Sequence, residues 1–168
     1  MKRTDQKRAK KLGGEPPLTH LDPQGHARMV DVGGKDVTSR RATARAVVTM
    51  TKETFDRLVR GDTPKGDVLA VARIAGIQAA KRTSELIPLC HAIALTKVEV
   101  AIALERGRAI VDATAEARDR TGVEMEAMVA ASTAALTLYD MLKAIDRGMS
   151  FDVRLVEKTG GKTGTWRG

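Results

Sequence analysis

The chain has 168 residues, 42% hydrophobic and 30% charged, with a net charge of +8 and one cysteine. These totals fit one globular domain with an aliphatic core and exclude an intrachain disulfide. The positive balance asks for an anionic partner: nucleic acid, acidic lipid or a polyphosphate metabolite. One Trp, one Tyr and two Phe leave few rings on which unpaired bases could stack.

Residues 1–17 hold six basic and two acidic side chains and no apolar periodicity. They read as a disordered basic arm, and no apolar stretch follows that would make a signal peptide. A cytoplasmic protein is expected. From 18 to 42 the chain is rich in turns, at Asp22-Pro23-Gln24-Gly25 and Gly33-Gly34. His20 and His26 lie here without enough neighbours of ligand type for a metal site.

A strand is expected over 44–50, then a short helix capped by Thr51 and ended by Gly61. Asp67 caps a second helix, running to about Arg82, whose first charge is Arg73. Two alternating strands, 97–104 and 109–118, flank the turn Glu105-Arg106-Gly107-Arg108. The first turns Val98, Val100, Ile102 and Leu104 to one side; the second turns Ala109, Val111, Ala113, Ala115 and Ala117.

A long helix is expected over 121–147, with Val123, Ala127, Ala130, Ala134, Leu138, Met141 and Ile145 at helical spacing. Thr121 and Glu124 have the spacing of a capping box, and Gly148 is a stop signal. From Ala127 to Tyr139 the helix carries no charge, so it should be covered on both sides, by its own sheet and by another element or subunit. That run spans roughly 20 Å, too short for a bilayer. A last strand covers 149–156, and a glycine-rich, flexible basic end follows. The order is βαββαβ with an extra helix, which predicts a ferredoxin-like α+β sandwich with an antiparallel sheet.

Several side chains could carry chemistry. Lys65 lies just ahead of the helix cap Asp67, where the helix dipole disfavours a cation and attracts an anion. Asp140 and Lys143 share one helix face at a spacing that allows pairing. Glu124 and Glu126 sit in the first turn of the same helix, and only Glu124 has a capping role to explain it. Cys90-His91 ends an apolar turn; adjacent side chains rarely point together, so a substrate-facing histidine beside a structural cysteine is expected. Gly160-Gly161-Lys162-Thr163 fails as a P-loop, because Val156 stands where the first glycine belongs. An RNA-binding module would need aromatic rings on the hairpin strands, and they have none.

The segments MVDV, KGDVLAVARIAGIQAAKRTSELIPLCH, KVEV, TGVEMEAM, AALTLYDMLKA and KTGGKTG occur in this order. Together they strongly resemble the cyclic pyranopterin monophosphate synthases, the MoaC-type enzymes of molybdenum cofactor biosynthesis. The likeness runs from about residue 18 to about 164 and leaves the arm outside. It implies a single synthase domain over 18–168 that converts 3′,8-cyclo-7,8-dihydroguanosine 5′-triphosphate to cyclic pyranopterin monophosphate and diphosphate. It implies Asp140, Lys143 and Lys65 as the acid–base residues. Leu89, Cys90, His91, Met125 and Glu126 would line the substrate pocket, with Glu124, Lys81 and Lys162 in matching motifs. It further implies a homohexamer, a trimer of dimers with sites at a subunit interface. No protein-bound metal, redox cofactor, nucleic acid or membrane is expected; Mg²⁺ could accompany the substrate phosphates.

Overall fold

A computed structural model describes residues 20–22 and 24–168. The arm expected over 1–17 lies outside them. The chain divides into two compact units, Met1–Val30 and Asp31–Gly168. In the first, Leu21 and Ala27 form an isolated antiparallel bridge. Asp22 shapes the turn between them, its Oδ1 accepting the backbone N–H groups of Gln24 and His26 at 2.9 and 2.8 Å.

The second unit runs β1 (Thr38–Thr49), α1 (Lys52–Arg60), α2 (Val68–Ala80), α3 (Thr83–Leu86), β2 (Leu95–Glu105), β3 (Arg108–Asp119), α4 (Glu124–Leu142), β4 (Ser150–Thr159) and β5 (Trp166–Arg167). The sheet order is β2-β3-β1-β4-β5. Every pairing is antiparallel. Without β5 this is the βαββαβ sandwich expected from the sequence, with α2 and α4 packed against the sheet.

That face is built from very small side chains. Ala42, Ala44, Ala46 and Val48 of β1 and Ala109, Val111, Ala113 and Ala115 of β3 are fully buried. They meet Ala127, Ala130, Ala131, Ala134, Ala135 and Leu138 of α4. With so little side-chain volume between them, helix and sheet must sit close to fill the space at protein density. α2 packs beside α4 and along β2. At Gly76 a Cβ would lie 2.9 Å from the Ala130 carbonyl oxygen and 3.2 Å from Ala134 Cβ. Only glycine allows that approach without moving backbone.

The other sheet face is polar, as the alternation predicts. Arg45 binds Asp112 through two hydrogen bonds of 2.7 Å. Arg41 reaches Glu116 at 3.3 Å and Glu157 at 3.4 Å, and the hydroxyls of Thr43 and Thr114 meet at 2.9 Å. Each is a contact across neighbouring strands, the unit of sheet stabilisation. β2 is an edge strand, and Arg73 of α2 donates Nε–H to its Val100 carbonyl at 3.3 Å. A guanidinium there occupies an acceptor that a foreign strand would otherwise pair with.

The short helix and its caps are as expected. Thr51 Oγ1 accepts Thr54 N–H, and Gly61 closes α1 with φ at 70°. Asp67 Oδ1 accepts Ala70 N–H at 2.9 Å, although α2 ends at Ala80 rather than near Arg82. Arg106 and Gly107, with φ of 48° and 80°, make the two-residue hairpin turn.

Several boundaries differ. β1 begins at Thr38, six residues before the expected start at Ala44, because its early core positions are alanines between polar residues and give little hydrophobic signal. The capping box at Thr121 and Glu124 is not formed: Val123 is the N-cap of α4 and no side chain caps it. Glu124 folds back over Gly122 instead. The helix stops at Leu142, not Arg147, because Asp146 draws the chain into a turn. One long side of α4 lies on the sheet and α2, yet Leu136 is 57% exposed, so its own chain covers it only in part.

The end of the chain pairs with β4 as β5. Trp166 and Arg167 lie against Lys158 and Glu157, and Arg167 Nε meets the Glu157 carboxylate at 2.9 Å. Gly160 and Gly161 make the bend possible: a Cβ on the first would strike the Ser39 carbonyl and on the second the Arg40 guanidinium.

Gly76→Val tests the close helix contact. Crowding should lower stability by about 2 kcal/mol, read as a lower urea midpoint at unchanged m-value.

Candidate active site

The end of α4 and the loop before α2 meet at one carboxylate. Asp140 sits on the last full turn of α4, and Lys143 is the C-cap residue. Their side chains pair at 2.7 Å between Lys143 Nζ and Asp140 Oδ1. Lys65 approaches from the turn of residues 63–66, where the Thr63 hydroxyl donates to the Gly66 carbonyl. Its Nζ donates to Asp140 Oδ2 at 2.8 Å and to the Asp140 backbone carbonyl at 3.0 Å. One aspartate is thus held between two ammonium groups, one on each oxygen.

The hydrogen bond from Lys143, then that from Lys65, holds the Asp140 carboxyl down to about 2. It is ionised at every working pH. All three side chains are about half exposed. An ammonium has three donors, so each lysine keeps at least one N–H for a substrate. The three residues expected to do acid–base work therefore come together, across 75 residues of sequence.

The remaining candidates gather at the opposite end of α4. Glu126 is buried, at 3% exposure, in the first turn. Burial drives its carboxyl up to about 7; the charges of Glu124 and Asp119 push the same way, and its own backbone N–H opposes them. Cys90 is half-buried after α3, and burial, then the Glu126 charge, raises its thiol. Leu89 and Met125 are partly exposed there, and His91 is half-buried. Lys81 follows the C-terminus of α2 and borders a small cleft with Ile93, Leu95 and Lys97.

Lys162 lies in a separate cleft of about 650 Å³ beside the start of α4. Lys35, Arg40, Arg120 and Thr38 line it too, with Asp36 as a counter-charge. Arg40 is fixed by donating to the Asp119 and Arg120 carbonyls at 3.2 and 3.3 Å. Arg120 in turn donates to the Lys35 carbonyl at 3.0 Å. The Thr38 hydroxyl is buried and unpartnered. Sequence reasoning missed Lys35 and Arg120, which reach the cleft only when the turns before β1 and before α4 fold together.

Fourteen positions of α4 separate Glu126 from Asp140, roughly 21 Å at the helical rise. Within one chain the candidates form two groups, not one. Among the described residues, no cluster of three or more His, Cys, Asp or Glu could hold a metal ion. No described helix is long and apolar enough to cross a membrane.

The MoaC family model matches residues 29–161, which include every site candidate except Lys162. The chain belongs to the MoaC family. A relative from Thermomicrobium roseum, cyclic pyranopterin monophosphate synthase, is 58% identical over 153 residues, covering 89% of this chain and 92% of its own. Among solved structures, the de novo designed protein Foldit4 aligns with 73% of this MoaC-family chain and 99% of its own at 13% identity. Its TM-score of 0.28 carries no argument.

The raised Glu126 carboxyl has a stability signature. Between its ordinary value and about 7 the folded chain holds a proton that the unfolded chain has lost. The associated stability is complete below pH ~4.5 and disappears as pH rises through 7. Glu126→Gln should therefore melt close to the parent at pH 4.5 and above it at pH 8, with the difference growing between those limits in a thermal titration.

Proposed function

We propose that the chain converts 3′,8-cyclo-7,8-dihydroguanosine 5′-triphosphate to cyclic pyranopterin monophosphate and diphosphate, in the cytoplasm, as a step of molybdenum cofactor biosynthesis. Family membership and the 58% identical synthase support the reaction. The observation that carries the mechanism is Asp140 between Lys65 and Lys143.

Rebuilding a guanine-derived ring into a pterin moves several protons. Lys65 and Lys143 are the proton donors and acceptors in this reading, and Asp140 holds both in place. Glu126, with its carboxyl near 7, is half-protonated at neutral pH and suits a further proton transfer. Closing the cyclic phosphate expels diphosphate, and cations must balance the charge that builds on that leaving group. The cleft of Lys35, Arg40, Arg120 and Lys162 has the charge for a triphosphate, with Mg²⁺ as an accompaniment of the phosphates. No electrons enter or leave in this conversion, so it calls for no redox cofactor. The positive charge is assigned to the nucleotide rather than to nucleic acid, since the exposed side of β3 carries Ile110, Asp112, Thr114 and Glu116 and no ring.

We further read the working form as a homohexamer, a trimer of dimers, with each site shared between two copies. Two observations favour a shared site. The two groups lie at opposite ends of α4, and α2 and α4 expose Val71, Ile74 and Leu136. A two-fold contact through α2 and α4 would cover such apolar side chains. It would also bring the Asp140 end of one chain to the Glu126 end of another.

The direct test supplies the cyclised dihydro-GTP and measures diphosphate release. Lys143→Ala, Asp140→Asn and Lys65→Ala should each lose at least ~10²-fold in turnover while keeping their fold. A mere surface pair would leave turnover untouched and be worth at most ~1 kcal/mol; near-normal activity in Lys143→Ala would sink the mechanism. Leu136→Arg should sediment as a smaller species and lose turnover along with assembly. A fully active monomer would rule out the shared site.

A further inference from the structure

Behind Lys143 lies a second aspartate with a different setting. Asp146 is 7% exposed, in the turn between α4 and β4. Its Oδ2 accepts the Thr51 backbone N–H at 2.8 Å and the Thr54 hydroxyl at 3.5 Å. Its Oδ1 accepts the Gly148 N–H at 2.9 Å, and its own N–H returns to the Leu142 carbonyl at 3.1 Å. None of these bonds reaches Lys65, Asp140 or Lys143.

Thr51 is the N-cap of α1, so the carboxylate sits where that helix presents unpaired N–H groups and partial positive charge. The helix is therefore fastened, at its start, to the turn that follows Lys143. At its other end, α1 closes on Gly61, and Arg57 Nε donates to the Asp62 carbonyl at 3.1 Å. Three residues later comes Lys65. On the α4 side, the Lys143 N–H donates to the Tyr139 carbonyl at 2.8 Å, one turn ahead of the Asp146 bond to Leu142. The Tyr139 hydroxyl also donates to the Arg147 carbonyl, at 3.3 Å, and steadies the same turn.

We propose that Asp146 is a positioning residue for the acid–base pair: it joins the turn behind Lys143 to the N-terminus of α1, the strut that leads to Lys65, and so fixes both lysines around Asp140. The inference rests on the reading of Lys65 and Lys143 as the acid–base residues. Its physical content is that two groups on separate segments must meet one carboxylate at 2.7 and 2.8 Å. A misplacement of about 1 Å at such a site can cost about 10²-fold in rate.

The test is steady-state turnover of the cyclised dihydro-GTP by Asp146→Asn and Asp146→Ala, each made in the parent and in Lys143→Ala, with sedimentation and thermal melts alongside. Asparagine keeps the shape but turns an amide donor towards either Thr51 N–H or Gly148 N–H, so it breaks one side of the joint; it carries the test if the alanine variant does not fold. In the parent, kcat should fall about tenfold or more, with KM within about twofold. In Lys143→Ala the same substitution should cost clearly less than in the parent, because only Lys65 is left for it to misplace. A lower melting temperature with kcat unchanged overturns the inference, and so does an equal loss in both backgrounds. An inactive Lys143→Ala beside a fully active Asp146→Asn overturns the inference alone; an active Lys143→Ala overturns the lysine reading and the inference with it.

Discussion

The fold depends on how closely α4 can lie to its neighbours. Alanines on β1, β3 and α4 remove the side-chain thickness that would hold helix and sheet apart, and Gly76 does the same between α2 and α4. Close packing gains many weak dispersion contacts and leaves little room for adjustment. Rigidity of that kind is what a polar site at the end of a helix needs. Asp140 is carried on the same helix as Leu138 and Leu142, which are fully buried, so its backbone has nowhere to drift.

Aspartates do opposite work at that end of the molecule. Asp140 is half exposed and spends its oxygens on two ammonium groups. Asp146 is buried and spends its oxygens largely on backbone N–H groups, and the Thr51 N–H above all holds its carboxyl below the usual range. The first presents charge to whatever arrives; the second never meets it. Glu126, at the far end, is the contrasting case: burial without a cation drives its proton on, where Asp140 is driven to lose one.

Much of this was legible in the residues. Alternation marked β2, β3 and the core face of the sheet, and the caps Thr51, Gly61 and Asp67 did what their chemistry predicts. Strand β1 was legible only from Ala44, since an Arg-Ala-Thr-Ala-Arg run has no large apolar residue to set its phase. The false cap at Thr121 has a physical reason too. A hydroxyl three residues from a glutamate is a necessary pattern for a capping box, but the backbone at Gly122 and Val123 carries the chain past it. The lysine–aspartate–lysine meeting was half legible: helical spacing gave Asp140 and Lys143, while Lys65 joined them only through the family likeness. Asp146 gave no signal beyond being one more acidic residue near a helix end, because its partners are backbone groups 95 positions away.

The bend at Gly160 and Gly161 puts the chain's only tryptophan on β5, the strand that closes the hairpin bearing Lys162. Its indole is 45% exposed. Light absorbed at the red edge of the protein band is therefore taken up at one known corner, without competition from a second indole. The emission of this molecule is a local signal, not an average: it reports the polarity around the hairpin that faces the cationic cleft, and the protein carries that probe without any label.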